Sequence, residues 1–308
     1  MKTIVLDALN ESHFPMSAMA AFGLLQVLTF SEPQKDPSLW PRLSWKRSPQ
    51  WTAVLHTCLD ENELVKFLVK TASSVKDHPV WTAADDMRKD FDPSKFLYLL
   101  QQHSEHYRHE ALVSGFASEW PLSRNGQLIL TSFYMISGQQ KFLDTIRAAA
   151  NLSLDDESSE EYVREALFGP WRYRDQLSSM GWDPATERYY ALEAQAPTKS
   201  KPRTVRIALW LAAESLALFP CYGVGKRVET QGINASAFYW PVWEMPISYY
   251  ALRSLFTFPL YDTKKKDELI KRGVSAVFSS QRGAGAAGHG YFSFRPANLV
   301  WQKGDADL

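Results

Sequence analysis

Residues 182–246 constrain the fold more than any other stretch. An aromatic segment, Trp182 to Leu192, comes first. A short polar loop bounded by Pro197 and Pro202 follows, carrying Lys199 and Lys201, with Arg203 just past it. Then comes an apolar run, Ile207 to Phe219, stopped by Pro220. The stretch closes on Trp240, Pro241, Trp243 and Pro246. A basic loop held between two apolar-aromatic blocks puts positive charge on a rigid platform, while Ile207–Phe219 reads as core.

The rest of the composition is that of a folded protein. Apolar residues make up 45% and charged residues 22% of the 308, close to ordinary globular values. Aromatics reach 13%, with 11 Trp, a surplus that fills a core and also supplies interface anchors or stacking surfaces. The net charge of zero conceals an asymmetry. Residues 1–160 hold 15 Lys and Arg against 20 Asp and Glu, whereas 161–308 hold 19 against 14. The second half therefore offers a basic face to an anionic partner, or to the acidic first half.

The two cysteines, Cys58 and Cys221, are too few for a disulfide framework or a cysteine metal site. The start, Met1 to Val5, lacks a signal-peptide pattern. No run approaches the roughly 20 apolar residues that cross a bilayer. A cytoplasmic protein without a membrane partner is the expectation.

Taken in order, the chain predicts a short apolar segment over Ile4–Leu9 and a mostly buried helix from Met16 to Leu28, capped near Ser12 or Pro15. Arg42–Lys46 and Trp51–Leu55 read as a hairpin around Ser48-Pro49. Asp60 with Glu63 opens a helix through Lys70. Asp92-Pro93 starts another, which carries His103, His106 and His109. A strand is expected over Leu128–Tyr134, then a helix over Gln139–Ala150. Residues 151–160 are acidic and Ser-rich, the best boundary between a domain at 1–150 and one at 161–308; one interwoven domain is the alternative. A helix follows over Glu160–Leu167 and another over Ser248–Phe258. Lys264–Lys266, Lys271 and Arg272 form a solvated basic face. Ser279–Gly290 reads as a flexible loop, and Tyr291–Arg295 as a strand.

Chemistry-bearing patterns are weak. The three histidines lack the surrounding carboxylate–His signature of a metal site, so an exposed helix face is the better reading. Ser137–Gln140 fits an ordinary helix start better than an anion-binding turn. Gly-Ala-Gly-Ala-Ala-Gly at 283–288 has no leading strand of the dinucleotide type. No paired carboxylates or nucleophile–base spacing stand out. No catalytic residue, metal site or cofactor is expected. Basic residues remain. Trp171-Arg172-Tyr173-Arg174 alternates rings with cations, which suits either a phosphate backbone or an amphipathic edge.

Several short pieces, in order, carry a family pattern: Ala20–Leu25, Arg42–Trp45, Ser137–Leu143, Gly181–Pro184, Arg188–Leu192, Trp210–Ala212, Leu218–Pro220 and Trp240–Trp243. Together they resemble subunits of the type I-G (formerly I-U) CRISPR interference systems. The resemblance implies a component like the large subunit of a Cascade-type complex, though this chain is short for one. Such subunits help to bind target DNA beside the guide RNA and to recognise the protospacer-adjacent motif. They work with other effector subunits and are not the nuclease; a separate helicase-nuclease is recruited to cut.

In RNA-guided systems base pairing reads sequence while the protein holds backbones, which calls for Lys and Arg on a scaffold. The expected nucleic-acid contacts are Lys199, Lys201, Arg203 and Arg206, then Arg172 and Arg174. Arg282 in the glycine-rich segment is a candidate groove probe, since glycines permit close approach. The expected fold class is α+β, mixed helices and short antiparallel strands with a more helical portion. The competing readings are a protein-interaction scaffold and an enzyme built on the histidine helix or on Ser137–Gln140.

Overall fold

The apolar run after Pro15 becomes α1 (Met16–Ser31), a helix buried on every side from Met16 to Thr29. A helix without a polar face belongs inside a core, and the other elements pack around it. The computed structural model describes residues 1–31, 36–78, 80–81, 92–102, 107–135, 141–156, 158–185, 202–284 and 292–304.

The architecture is α+β, with antiparallel sheets and nine α-helices among the described residues. The first sheet lies against α1. Its strands β1 (Lys2–Asn10), β2 (Arg42–Arg47) and β3 (Trp51–Thr57) pair antiparallel in the order β1-β3-β2. The expected hairpin is therefore present, with a cis bond at Ser48–Pro49. The helix α2 (Glu61–Ser73) opens with the expected capping box: Glu63 N donates to Asp60 at 2.9 Å and Asp60 N to Glu63 at 2.7 Å.

The more helical portion is the middle of the chain. It contains α3 (Pro93–Gln102), α4 (Tyr107–Ser114), α5 (Phe142–Ala150), α6 (Ser158–Phe168) and α7 (Arg206–Glu214), with, among the described residues, only the two-residue strands β4 (Ala117–Ser118) and β5 (Ile129–Leu130) between them. The strand expected over Leu128–Tyr134 thus shrinks to two residues. The apolar run Ile207–Phe219 is core, as expected: every residue of α7 after Arg206 is buried, and a 3-10 turn over Ser215–Leu218 follows.

A hairpin of β6 (Cys221–Val224) and β7 (Arg227–Thr230) comes next, then β8 (Ile233–Asn234), β9 (Ala237–Trp243), β10 (Ile247–Ser248) and the helices α8 (Tyr249–Phe256) and α9 (Lys266–Lys271). The long strand β11 (Val274–Ala284) pairs β9 on one side and both β12 (Phe292–Phe294) and β13 (Asn298–Gln302) on the other. The loop expected over Ser279–Gly290 is corrected for its first half. Ser279–Ala284 is strand because Ser280 is fully buried and Gly283 leaves room for Arg295.

Core and sheets cross residue 160. The strand β10 pairs β2, completing the first sheet from the other half of the sequence. The helices α1 and α7 meet so closely that a Cβ on Gly23 would overlap the Leu211 carbonyl oxygen. One cluster of buried side chains runs from Ile4 to Trp301. Phe14 lies edge-on to Trp45 at 5.5 Å, to Trp240 at 5.4 Å and to Phe278 at 5.1 Å, joining the two sheets. Much of the Trp surplus is therefore core. Of residues 151–156, Leu152 is buried in this core and the others are exposed. Among the described residues, no helix is long and apolar enough to cross a membrane.

Candidate nucleic-acid interface

The site begins at α6. Asp156 caps it, accepting from Ser158 N at 2.9 Å, and Glu160 and Glu161 occupy the first turn, where acidic side chains suit the helix dipole. Its inner face buries Ser159, Val163, Ala166 and Leu167, and also Glu165, which is only 6% exposed. A carboxylate there needs partners. It accepts from Arg172 N at 2.7 Å and from Arg174 Nε and Nη2 at 3.0 and 2.6 Å. To supply those donors the chain folds back on α6. Gly169 and Tyr173 take positive φ, 78° and 52°, and Trp171 Nε1 donates to Ala166 O at 3.1 Å. The ring-cation alternation reads out directly: Trp171 and Tyr173 are buried, Arg172 and Arg174 exposed.

The next residue, Asp175, forms an isolated antiparallel bridge with Thr204. That bridge places Pro202–Arg206, where the described chain resumes, beside Arg172–Arg174. Arg206 N donates to Asp175 Oδ2 at 3.1 Å, and its guanidinium stands 3.7 Å from Oδ1. The same guanidinium donates to the Ala148 and Ala149 carbonyls at the end of α5, a favoured place for a cation. Arg174 and Arg206 flank the Tyr162 ring, 5.5 and 4.9 Å from its centroid. Burial raises the Asp175 pKa, against the opposing pull of Arg206. The bond to Glu165 raises that of Arg174.

Four of the seven expected residues are thus brought together, in two roles. The Arg174 and Arg206 guanidiniums are engaged inward and build the frame. Arg172 and Arg203 are exposed, and among the described residues neither guanidinium has an ion pair or hydrogen-bond partner. Lys199 and Lys201 lie outside the described residues. Arg282 stands elsewhere, on β11. Glu165, Asp175 and Tyr162 complete the frame and were not expected. The only sequence signal for Glu165 was a carboxylate on the apolar face of its helix.

The other expectations fare differently. Of the expected histidine helix, the described residues show α3 up to Gln102 and α4 from Tyr107. His103 and His106 lie outside the described residues, as do Ser137–Gln140. His109 is half-buried rather than exposed, its ring 4.3 Å from that of His78. Among the described residues, no group of three or more His, Cys, Asp or Glu is placed to hold a metal ion. The Lys264–Lys266 face carries a Lys265–Glu268 ion pair at 3.0 Å, and Arg272 Cζ lies over the Phe258 ring, 3.8 Å from its centroid.

The arrangement presents two guanidiniums, unpaired among the described residues, on a braced support, a geometry suited to phosphate oxygens. No family model matches the chain, and neither a curated protein nor a solved structure matches it.

Proposed function

We propose that this chain is a non-catalytic nucleic-acid-binding subunit of a type I CRISPR interference complex. In this reading it is a small, cytoplasmic counterpart of the Cascade large subunit. It holds target DNA beside the guide RNA, takes part in recognising the protospacer-adjacent motif, and leaves cutting to a recruited helicase-nuclease. The observation that carries the reading is the Asp175–Thr204 bridge, which gathers arginines from two distant segments. Arg174 and Arg206 brace the support, and Arg172 and Arg203 contact phosphate. Lys199 and Lys201, adjoining in sequence, add to the same field. The family itself rests on the ordered sequence pattern.

A protein-interaction scaffold is the second reading, favoured by Trp120 and Met245, which are 69% and 73% exposed. Isolation of the tagged chain from its own cells separates the two. A repeat-derived guide RNA and other effector subunits are expected to co-purify, in an association that high salt and nuclease weaken. A protein complex indifferent to both treatments selects the scaffold, and a preparation without RNA or effector subunits overturns the CRISPR reading.

A further inference from the structure

Arg282 is half-buried near the end of β11. Its Nε has no access to solvent and no hydrogen-bond partner. Among the described residues the guanidinium has no ion pair; its side-chain contact is the Phe292 ring, 4.3 Å from Cζ to centroid. Burial lowers its pKa. A cation taken this far out of water is ordinarily compensated by an anion, and cation–π contact compensates only in part.

Arg282 N donates to Ser236 O at 2.8 Å, and Ser236 with Ala235 forms the exposed two-residue turn joining β8 to β9. Both turn residues have positive φ, 65° and 45°, a strained state for side chains other than glycine. On the other face of β11, Arg295 crosses Gly283 so closely that a Cβ there would lie 2.5 Å from its Nε. Two guanidiniums therefore straddle one strand. A guanidinium presents its N–H donors at its edge, where the paired oxygens of an oxyanion meet them.

We propose that Arg282, set over the Phe292 ring, is a binding site for a phosphate oxyanion, supplied by a nucleic-acid backbone or by free phosphate. The nucleic-acid source rests on the function proposed above; the site itself does not. Two measurements on the full chain test it. The first is thermal unfolding with inorganic phosphate against chloride at equal ionic strength, for wild type and Arg282→Met. Phosphate is expected to raise the wild-type midpoint beyond chloride and to leave that of R282M unmoved. Without phosphate, R282M is expected to be at least as stable as wild type, because the removed charge has no ion pair among the described residues.

The second is the salt dependence of oligonucleotide binding. R282M is expected to bind about tenfold more weakly and to lose about 0.7–0.9 from the slope of log affinity against log salt, the share of one phosphate contact. A phosphate-dependent midpoint with an unchanged slope supports the site and assigns it to free phosphate. If R282M does not fold, Arg282→Lys keeps the charge and loses the fork, so the phosphate shift shrinks; an undiminished shift overturns the site. Wild type without a phosphate-specific shift, together with an unchanged slope in the variant, also overturns it.

Discussion

Replacing Glu165 with Ala tests the frame beneath the candidate interface. The substitution removes the acceptor for three N–H groups, Arg172 N at 2.7 Å and Arg174 Nε and Nη2 at 3.0 and 2.6 Å. Breaking a buried ion pair from one side costs about 3–5 kcal/mol. The Arg174 side chain is 39% exposed, so water recovers part of that loss. The expected destabilisation is therefore about 2–3 kcal/mol. Glu165→Gln keeps one carbonyl acceptor without the charge and should lose about half as much. Urea unfolding reads both, as a lower midpoint at an unchanged slope.

Binding supplies a sharper criterion. Removing a negative charge from a surface that binds phosphate strengthens binding by Coulomb attraction alone. If Glu165 instead anchors the Arg172–Arg174 segment, E165A weakens oligonucleotide binding despite the charge change. A variant within about 0.5 kcal/mol of wild type, or one that binds more tightly, would refute the frame.

Two further outcomes test the packing. Gly23→Ala drives a methyl group into the Leu211 carbonyl where α1 crosses α7, and should cost about 3 kcal/mol or more by denaturant unfolding; near-neutral stability would contradict the crossing. Burial raises the Cys221 pKa to about 11, whereas Cys58 is exposed. At pH 8 the Cys221 thiolate is then about a hundredfold scarcer than an ordinary one, so a thiol reagent should show one fast and one slow equivalent in the native protein and two fast ones only in denaturant.

The parts of the fold legible in the sequence were those with local signatures. Asp60 and Glu63 announce a helix start by their spacing, and Ser48-Pro49 between two alternating runs announces a hairpin. The buried helix at Met16 follows from an apolar run with no polar face. The strand β9 was hidden because Pro241 lies inside it. Pro241 is tolerated because β8 pairs β9 only at Ala237 and Phe238, leaving the Pro241 nitrogen without a partner strand on that side. The end of β11 was hidden for the opposite reason. Gly283 and its neighbours look flexible in sequence, yet the glycine is there for the close approach of Arg295.

The candidate site was half legible. Basic residues among aromatics marked Arg172, Arg174, Arg203 and Arg206, because charge and rings are visible in sequence. Which of them face inward was not, because Glu165, Asp175 and Tyr162 become partners only through tertiary folding. The pairing of Asp175 with Thr204 has no periodic pattern to predict it.

The most direct measurement is the salt dependence of nucleic-acid binding by wild type and by a variant with Arg172, Lys199, Lys201 and Arg203 all replaced by Ala. If these four contact phosphate, affinity falls to a similar degree for all sequences, and the slope of log affinity against log salt drops by about 3. An unchanged slope and affinity in a folded variant would contradict the assignment of this surface to nucleic acid.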